Sequence, residues 1–236
     1  MSTVDDDAAE TDRARLWRLF PLVRHLSDRL TPLLLRLPVT PNQVTAVSLA
    51  AGLAGAACFA LGGRPAALAG TALLIVCYVL DNCDGDIARA KNLSSRFGHY
   101  FDSVADWLVD AVFFISLGYG ASVALHGAFW LWLGLVTAAG ATISYGLELR
   151  HDLGARRATD AGAAAAPDTA ADQPLPTNWK EAAVYVFREL FRADFCFLVL
   201  ILAALNVTWI LLPAGAIGAQ VYWLTSLVVG WRRFHV

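Results

Sequence analysis

The sequence predicts an all-α integral membrane protein: six transmembrane helices preceded by an N-terminal amphipathic helix in the membrane interface. Three observations carry this. The 236-residue chain is 57% hydrophobic, with a mean hydropathy of +0.53. Its apolar residues gather into runs of the roughly 20 residues that cross a bilayer. With the N-terminus cytoplasmic, seventeen of the eighteen Lys and Arg fall on the inside and only Arg64 on the outside, the bias that sets orientation. Both termini are therefore expected in the cytoplasm, in a multi-pass cell-membrane protein.

Residues 1–12 are polar and acidic and predict a disordered tail. A cleaved signal peptide would want a positive start. Over 13–38, Leu19, Val23, Leu26, Leu30, Leu33 and Leu37 step by four and three, one stripe of a helix with a bend at Pro21. Such a helix either lies in the interface or packs only on protein. Trp17, Phe20 and the off-stripe Arg18 and Arg29 favour the interface.

The six-helix domain fills 40–236. Thr40-Pro41-Asn42-Gln43 opens the first membrane helix, about 42–62, with Thr40 as N-cap and Gln43 completing a capping box. Gly62-Gly63-Arg64-Pro65 is a turn. The second helix (65–91) and third (95–124) are joined by a short polar link. The fourth covers 127–149, and an Ala/Pro/Asp-rich flexible linker covers 155–178. The fifth covers 181–206 and the sixth 210–230, before Trp231-Arg232-Arg233.

Charges gather where the second and third helices meet. At about 100° per residue, Asp81 and Asp84 share a face with Gly85, Ala88 and Arg89. Gly98, Asp102 and Asp106 form a second stripe at i, i+4, i+8, and Asp110 continues it one turn deeper. In a hairpin the four carboxylates would converge at one membrane face. Ionisable residues inside a membrane cost about 2.5–3.5 kcal/mol each and mark function by default. Carboxylates without His or Cys partners suit hard cations, Mg²⁺ or Mn²⁺, and a bridged pair of ions suits an in-line displacement at phosphorus. The small residues leave room for a ligand, and Arg89 offers a planar fork to phosphate. Eight specified positions in 26 residues match by chance on the order of 10⁻¹⁰ per starting point.

The pattern D-x2-D-G-x2-A-R-x8-G-x3-D-x3-D, here Asp81, Asp84, Gly85, Ala88, Arg89, Gly98, Asp102 and Asp106, resembles the signature of the CDP-alcohol phosphotransferase family. The motif spans about a ninth of the chain, and the hydropathy around it fits as well. The resemblance implies a membrane enzyme of phospholipid biosynthesis. It would transfer a substituted phosphate, such as phosphatidyl, from a CDP-linked donor, CDP-diacylglycerol foremost, to an alcohol, releasing CMP. It further implies that Asp81, Asp84 and Asp102 ligate metal and that Asp106 is both metal-near and the general base. Asp84, Gly85, Ala88, Arg89 and Gly98 would hold the CDP moiety. The Thr-Pro-Asn opening is also similar to family members, placing Asn42 and Thr45 in the nucleotide wall, although capping explains it equally. A homodimer is implied too.

The acceptor is open among inositol phosphate, glycerol phosphate and neutral alcohols such as serine. Arg150, Arg188 and Arg192 lie at expected cytoplasmic helix ends, where they suit a phosphorylated acceptor or serve topology alone. Tyr145 with Arg150, and Arg192 with Asp194, loosely resemble segments of members that use inositol phosphate. Two rival readings stand beside this one. An intramembrane prenyltransferase would want a second Asp-rich motif, and none follows Asp110. A divalent-cation transporter would place its charges at midmembrane. The four Cys show no ligand spacing or disulfide framework, and no basic-aromatic pattern points to nucleic acid.

Overall fold

The computed structural model describes residues 21–160 and 194–233. The described elements are helices α1 (Leu22–Leu35), α2 (Pro41–Ala60), α3 (Arg64–Ala90), α4 (Arg96–Ala124), α5 (Ala128–Asp160) and α6 (Phe195–Ala204). A short 3₁₀ turn, Thr208–Ile210, leads into α7 (Leu211–Arg233). Among the described residues, α2, α3, α4 and α5 are long and apolar enough to cross a membrane. The expected fifth span is represented by the ten residues of α6, because 181–193 lie outside the described residues. The acidic tail, the start of the interfacial helix and linker residues 161–178 also lie outside them.

Local chemistry sets the helix starts. Thr40 and Gln43 form the expected reciprocal capping box, with Gln43 N donating to Thr40 Oγ1 at 3.4 Å and Thr40 N to Gln43 Oε1 at 2.9 Å. Ser95 caps α4 by accepting from Gly98 N at 3.0 Å. Gly62 and Gly63 turn the chain with φ of +71° and +79°, a conformation open to glycine at little cost.

Helix α2 is the wedge of the fold. It packs along α3 on one side and α4 on the other, while α3 and α4 barely touch among the described residues. The two helices still converge at their carboxylate ends as the spacing suggested, but without packing along their length, and glycine explains that separation. A Cβ on Gly55 would lie 2.8 Å from Gly70 O, and one on Gly70 2.6 Å from Gly55 O, so α2 and α3 meet backbone to backbone. A Cβ on Gly52 would meet Val109 Cγ2 of α4 at 2.5 Å and Cys77 Sγ of α3 at 2.8 Å. Membrane helices associate through such small-residue contacts. Ser48 Oγ adds a 2.8 Å hydrogen bond to Cys77 O. Phe59, Phe113 and Phe195 join α2, α4 and α6 edge to face, with centroids 5.0 and 5.7 Å apart.

Helix α1 corrects two expectations. Pro21 is its N-cap rather than a bend inside it, while Pro32 lies within it. Its buried face is Val23, Ser27 and Thr31, because these smaller side chains allow close approach to α3, where Cys83 Sγ donates to Ser27 O at 3.7 Å. Of the expected leucine stripe, Leu26 and Leu33 are 37% and 56% exposed. The first turn of α1 is capped from across the chain: Leu22 N and Val23 N donate to the carboxylate of buried Asp194 at 2.7 and 2.9 Å.

Helix α5 runs to Asp160, past both the expected end at 149 and the expected linker start at 155. Residues 150–160 hold Arg, Ala and Leu, good helix formers, and no proline. Asp152 on this extension lies 3.3 Å from His99 Nε2 of α4.

The wedge makes a packing prediction. Gly52→Val should lower stability by about 1–3 kcal/mol through overpacking, read as a lower melting temperature in detergent. Gly146→Ala, at a helical glycine with nothing within 4 Å of a built Cβ, should not lower it.

Candidate active site

Because α3 and α4 run antiparallel, the last turns of one and the first turns of the other reach the same end of the bundle. Held apart by α2, they face each other across a cleft and turn their carboxylates into it. Single oxygens of Asp81, Asp102 and Asp106 come within 4.8 Å of one another. Asp102 Oδ1 is buried with no hydrogen-bond partner among the described residues. Three convergent carboxylates and an orphaned buried acceptor are a donor set that fits a hard divalent cation. Asp84 is held differently. It is buried, and its Oδ2 accepts from Thr45 Oγ1 of α2 at 2.5 Å.

Two cavities flank the carboxylates. The first, about 280 Å³, is lined by Asn42, Thr45, Asp84, Gly85, Ala88, Arg89, Gly98 and Asp102, with His99 and Ser95. All seven residues expected to hold the nucleotide therefore border one space. Gly85 has no packing reason to lack a side chain, since a Cβ there would meet only the Arg89 guanidinium, at 3.5 Å. The second cavity, about 340 Å³, is lined by Asp81 and Asp106 with Cys77, Tyr78, Asn82, Val109 and Asp110. Asp81 and Asp106 thus face one cavity, and Asp84 and Asp102 the other.

The expected acceptor residues are not brought together. Tyr145 stacks on Trp107, with centroids 5.6 Å apart and planes 20° from parallel. Neither Tyr145 nor exposed Arg150 lines either cavity, and Arg188 and Arg192 lie outside the described residues. Conversely, Asn82, Tyr78 and Asp86 border the site or its motif with no role expected of them, as does His99, which the stripe leaves out. His99 and Asn82 fall off the periodic stripe, so the helical pattern alone pointed away from them. Asp86 carried a signal, three residues before Arg89 and well placed for an ion pair.

Comparison with known proteins identifies the family. The sequence model of CDP-alcohol phosphatidyltransferases matches residues 38–231. A bifunctional IPC transferase and DIPP synthase from Thermococcus kodakarensis is 35% identical over 128 residues, 54% of this chain and 28% of that protein. An archaetidylinositol phosphate synthase from Pyrococcus horikoshii is 36% identical over 105 residues, 44% of this chain and 54% of that one. The chain thus spans about a quarter to a half of these relatives' lengths. The crystal structure of Mycobacterium tuberculosis phosphatidylinositol phosphate synthase with CDP-DAG bound has the same fold, with a TM-score of 0.52 at 22% identity. That match covers 84% of this chain and 92% of that one. With the motif, the helical bundle and a family match over most of its length, this chain belongs to the CDP-alcohol phosphatidyltransferase family.

Proposed function

We propose that the protein transfers a phosphatidyl-type group from a CDP-linked lipid, CDP-diacylglycerol foremost, to an alcohol with release of CMP. The observation that carries this is the partition of the site: the carboxylates stand between a cavity lined by the seven nucleotide-binding candidates and a second cavity bordered by Asp106. A two-substrate transfer at phosphorus needs such an arrangement, with the leaving nucleotide on one side and the attacking hydroxyl on the other.

Asp81, Asp84, Asp102 and Asp106 would hold Mg²⁺ or Mn²⁺, two ions in our reading. When bound, these ions supply neutralisation of diphosphate charge and Lewis acidity. The protein's own residues do the rest. Arg89, with Asn42 and Thr45 near the helix starts, orients the CDP moiety over Gly85, Ala88 and Gly98. Asp106 takes the proton from the acceptor hydroxyl. The acceptor oxygen forms its bond to the phosphorus distal to cytidine, and the bond from that phosphorus to the bridging oxygen breaks, releasing CMP.

Inositol phosphate is the acceptor we favour over glycerol phosphate. Its support is that the archaetidylinositol phosphate synthase and the phosphatidylinositol phosphate synthase both carry inositol phosphate in their names. Arg188 and Arg192 remain our sequence-based candidates for its phosphate, whereas Arg150 and Tyr145, which border neither cavity, do not. The positive-inside bias supports a cytoplasmic membrane enzyme with both termini and the site facing the cytoplasm. The family resemblance supports a homodimer.

CMP release by purified protein, with Mg²⁺ or Mn²⁺, CDP-diacylglycerol and a panel of alcohols, tests the reaction. Release should depend on inositol phosphate and fall at least about 100-fold in Asp106→Asn. Full activity in that variant would remove Asp106 from its role. Thr45→Val takes away the hydroxyl that holds Asp84. It should raise the metal concentration for half-maximal activity by about 10–100-fold, as loss of an outer-sphere ligand partner does.

A further inference from the structure

Arg89 sits 67% exposed at the mouth of the nucleotide cavity. An exposed arginine samples many rotamers, and one ion pair along the same helix restrains it weakly. Here the restraint is stronger, because its partner is itself held. Arg89 Nη2 donates to Asp86 Oδ1 at 2.5 Å. Arg24 Nη2 of α1 donates to that same oxygen at 3.2 Å, and Asp86 is only 15% exposed. Arg24 is anchored in turn, its Nε lying 3.0 Å from Asp28 Oδ1 one turn along α1.

Helix α1 is a fixed strut for this purpose. Asp194 caps its first turn. Just past its far end, Lys91 Nζ donates to Leu37 O and Val39 O at 3.0 and 2.8 Å. Arg24 therefore approaches Asp86 from a helix tethered at both ends. Arg89 spends one N–H on Asp86 and retains the remainder of its five-donor fork. Arg24 also shares the Asp86 carboxylate, so Arg89 is not left to neutralise it alone.

We propose that Asp86 and Arg24 are positioning residues for the donor: the Arg24–Asp86–Arg89 relay fixes the Arg89 guanidinium toward the diphosphate of the CDP-linked substrate. This rests on the proposed function, and the experiment separates the two. The equilibrium Kd for CDP and the KM for CDP-diacylglycerol are measured on wild type, Arg24→Gln, Asp86→Asn, the double variant and Arg24→Lys. Melting temperature is recorded for each.

Arg24→Gln should raise both Kd and KM roughly tenfold, with kcat within about twofold and melting unchanged. Arg24→Lys should recover part of the loss. In the Asp86→Asn background, Arg24→Gln should add less than about twofold, because its effect passes through Asp86. The relay is overturned if CDP affinity stays within about twofold of wild type in Arg24→Gln, or falls by the same factor with and without Asp86. It is equally overturned if wild type does not bind CDP. Wild type that binds CDP but releases no CMP with any acceptor refutes the transfer reaction, while the relay is still judged on Kd.

Discussion

Repulsion among carboxylates is the constraint on which the rest of this structure depends. With oxygens of Asp81, Asp102 and Asp106 within 4.8 Å, each ionised pair repels by about 3 kcal/mol at an effective dielectric of about 20. Such a cluster persists only if the fold forces it together, and a bound cation or proton uptake relieves the repulsion. The force comes from α2. Its glycines at 52 and 55 let α3 and α4 lie close against it, so the two carboxylate-bearing helices face one another without filling the space between them. Side-chain packing between α3 and α4 would have closed the cleft.

The same geometry turns a cluster into a transfer site. Asp84 and Asp102 open to the cavity bordered by Arg89, Gly85 and Gly98, while Asp81 and Asp106 open to the cavity bordered by Asn82 and Asp110. A diphosphate and a hydroxyl arriving from opposite sides would meet at the carboxylates, an arrangement that lowers the entropic cost of a two-substrate reaction. Polar groups outside the cluster set its orientation. Thr45 fixes Asp84 from α2, and Arg24 reaches Asp86 from α1.

Much of this was legible in the sequence, because motif and caps are local. The spacing from Asp81 to Asp106 placed two stripes at adjoining helix ends, and Thr40 with Gln43 fixed the start of α2. What stayed hidden depends on contacts distant in sequence. The wedge rests on Gly52 meeting both Cys77 and Val109, which no periodicity encodes. The buried face of α1 is Ser27 and Thr31 rather than its leucines, because nearness to Cys83 outweighs hydrophobicity there. Asp194 caps a helix 172 residues away, and the polar end of α5 reads as linker by composition although its residues favour helix.

Direct Mn²⁺ binding, followed by electron paramagnetic resonance on the purified protein, tests the central claim that these carboxylates form one divalent-cation centre. The account predicts saturable binding of two ions per chain, weakened at least about tenfold by Asp102→Asn in protein that melts like wild type. Wild type that binds no Mn²⁺, or a variant that binds it equally well, would contradict the account.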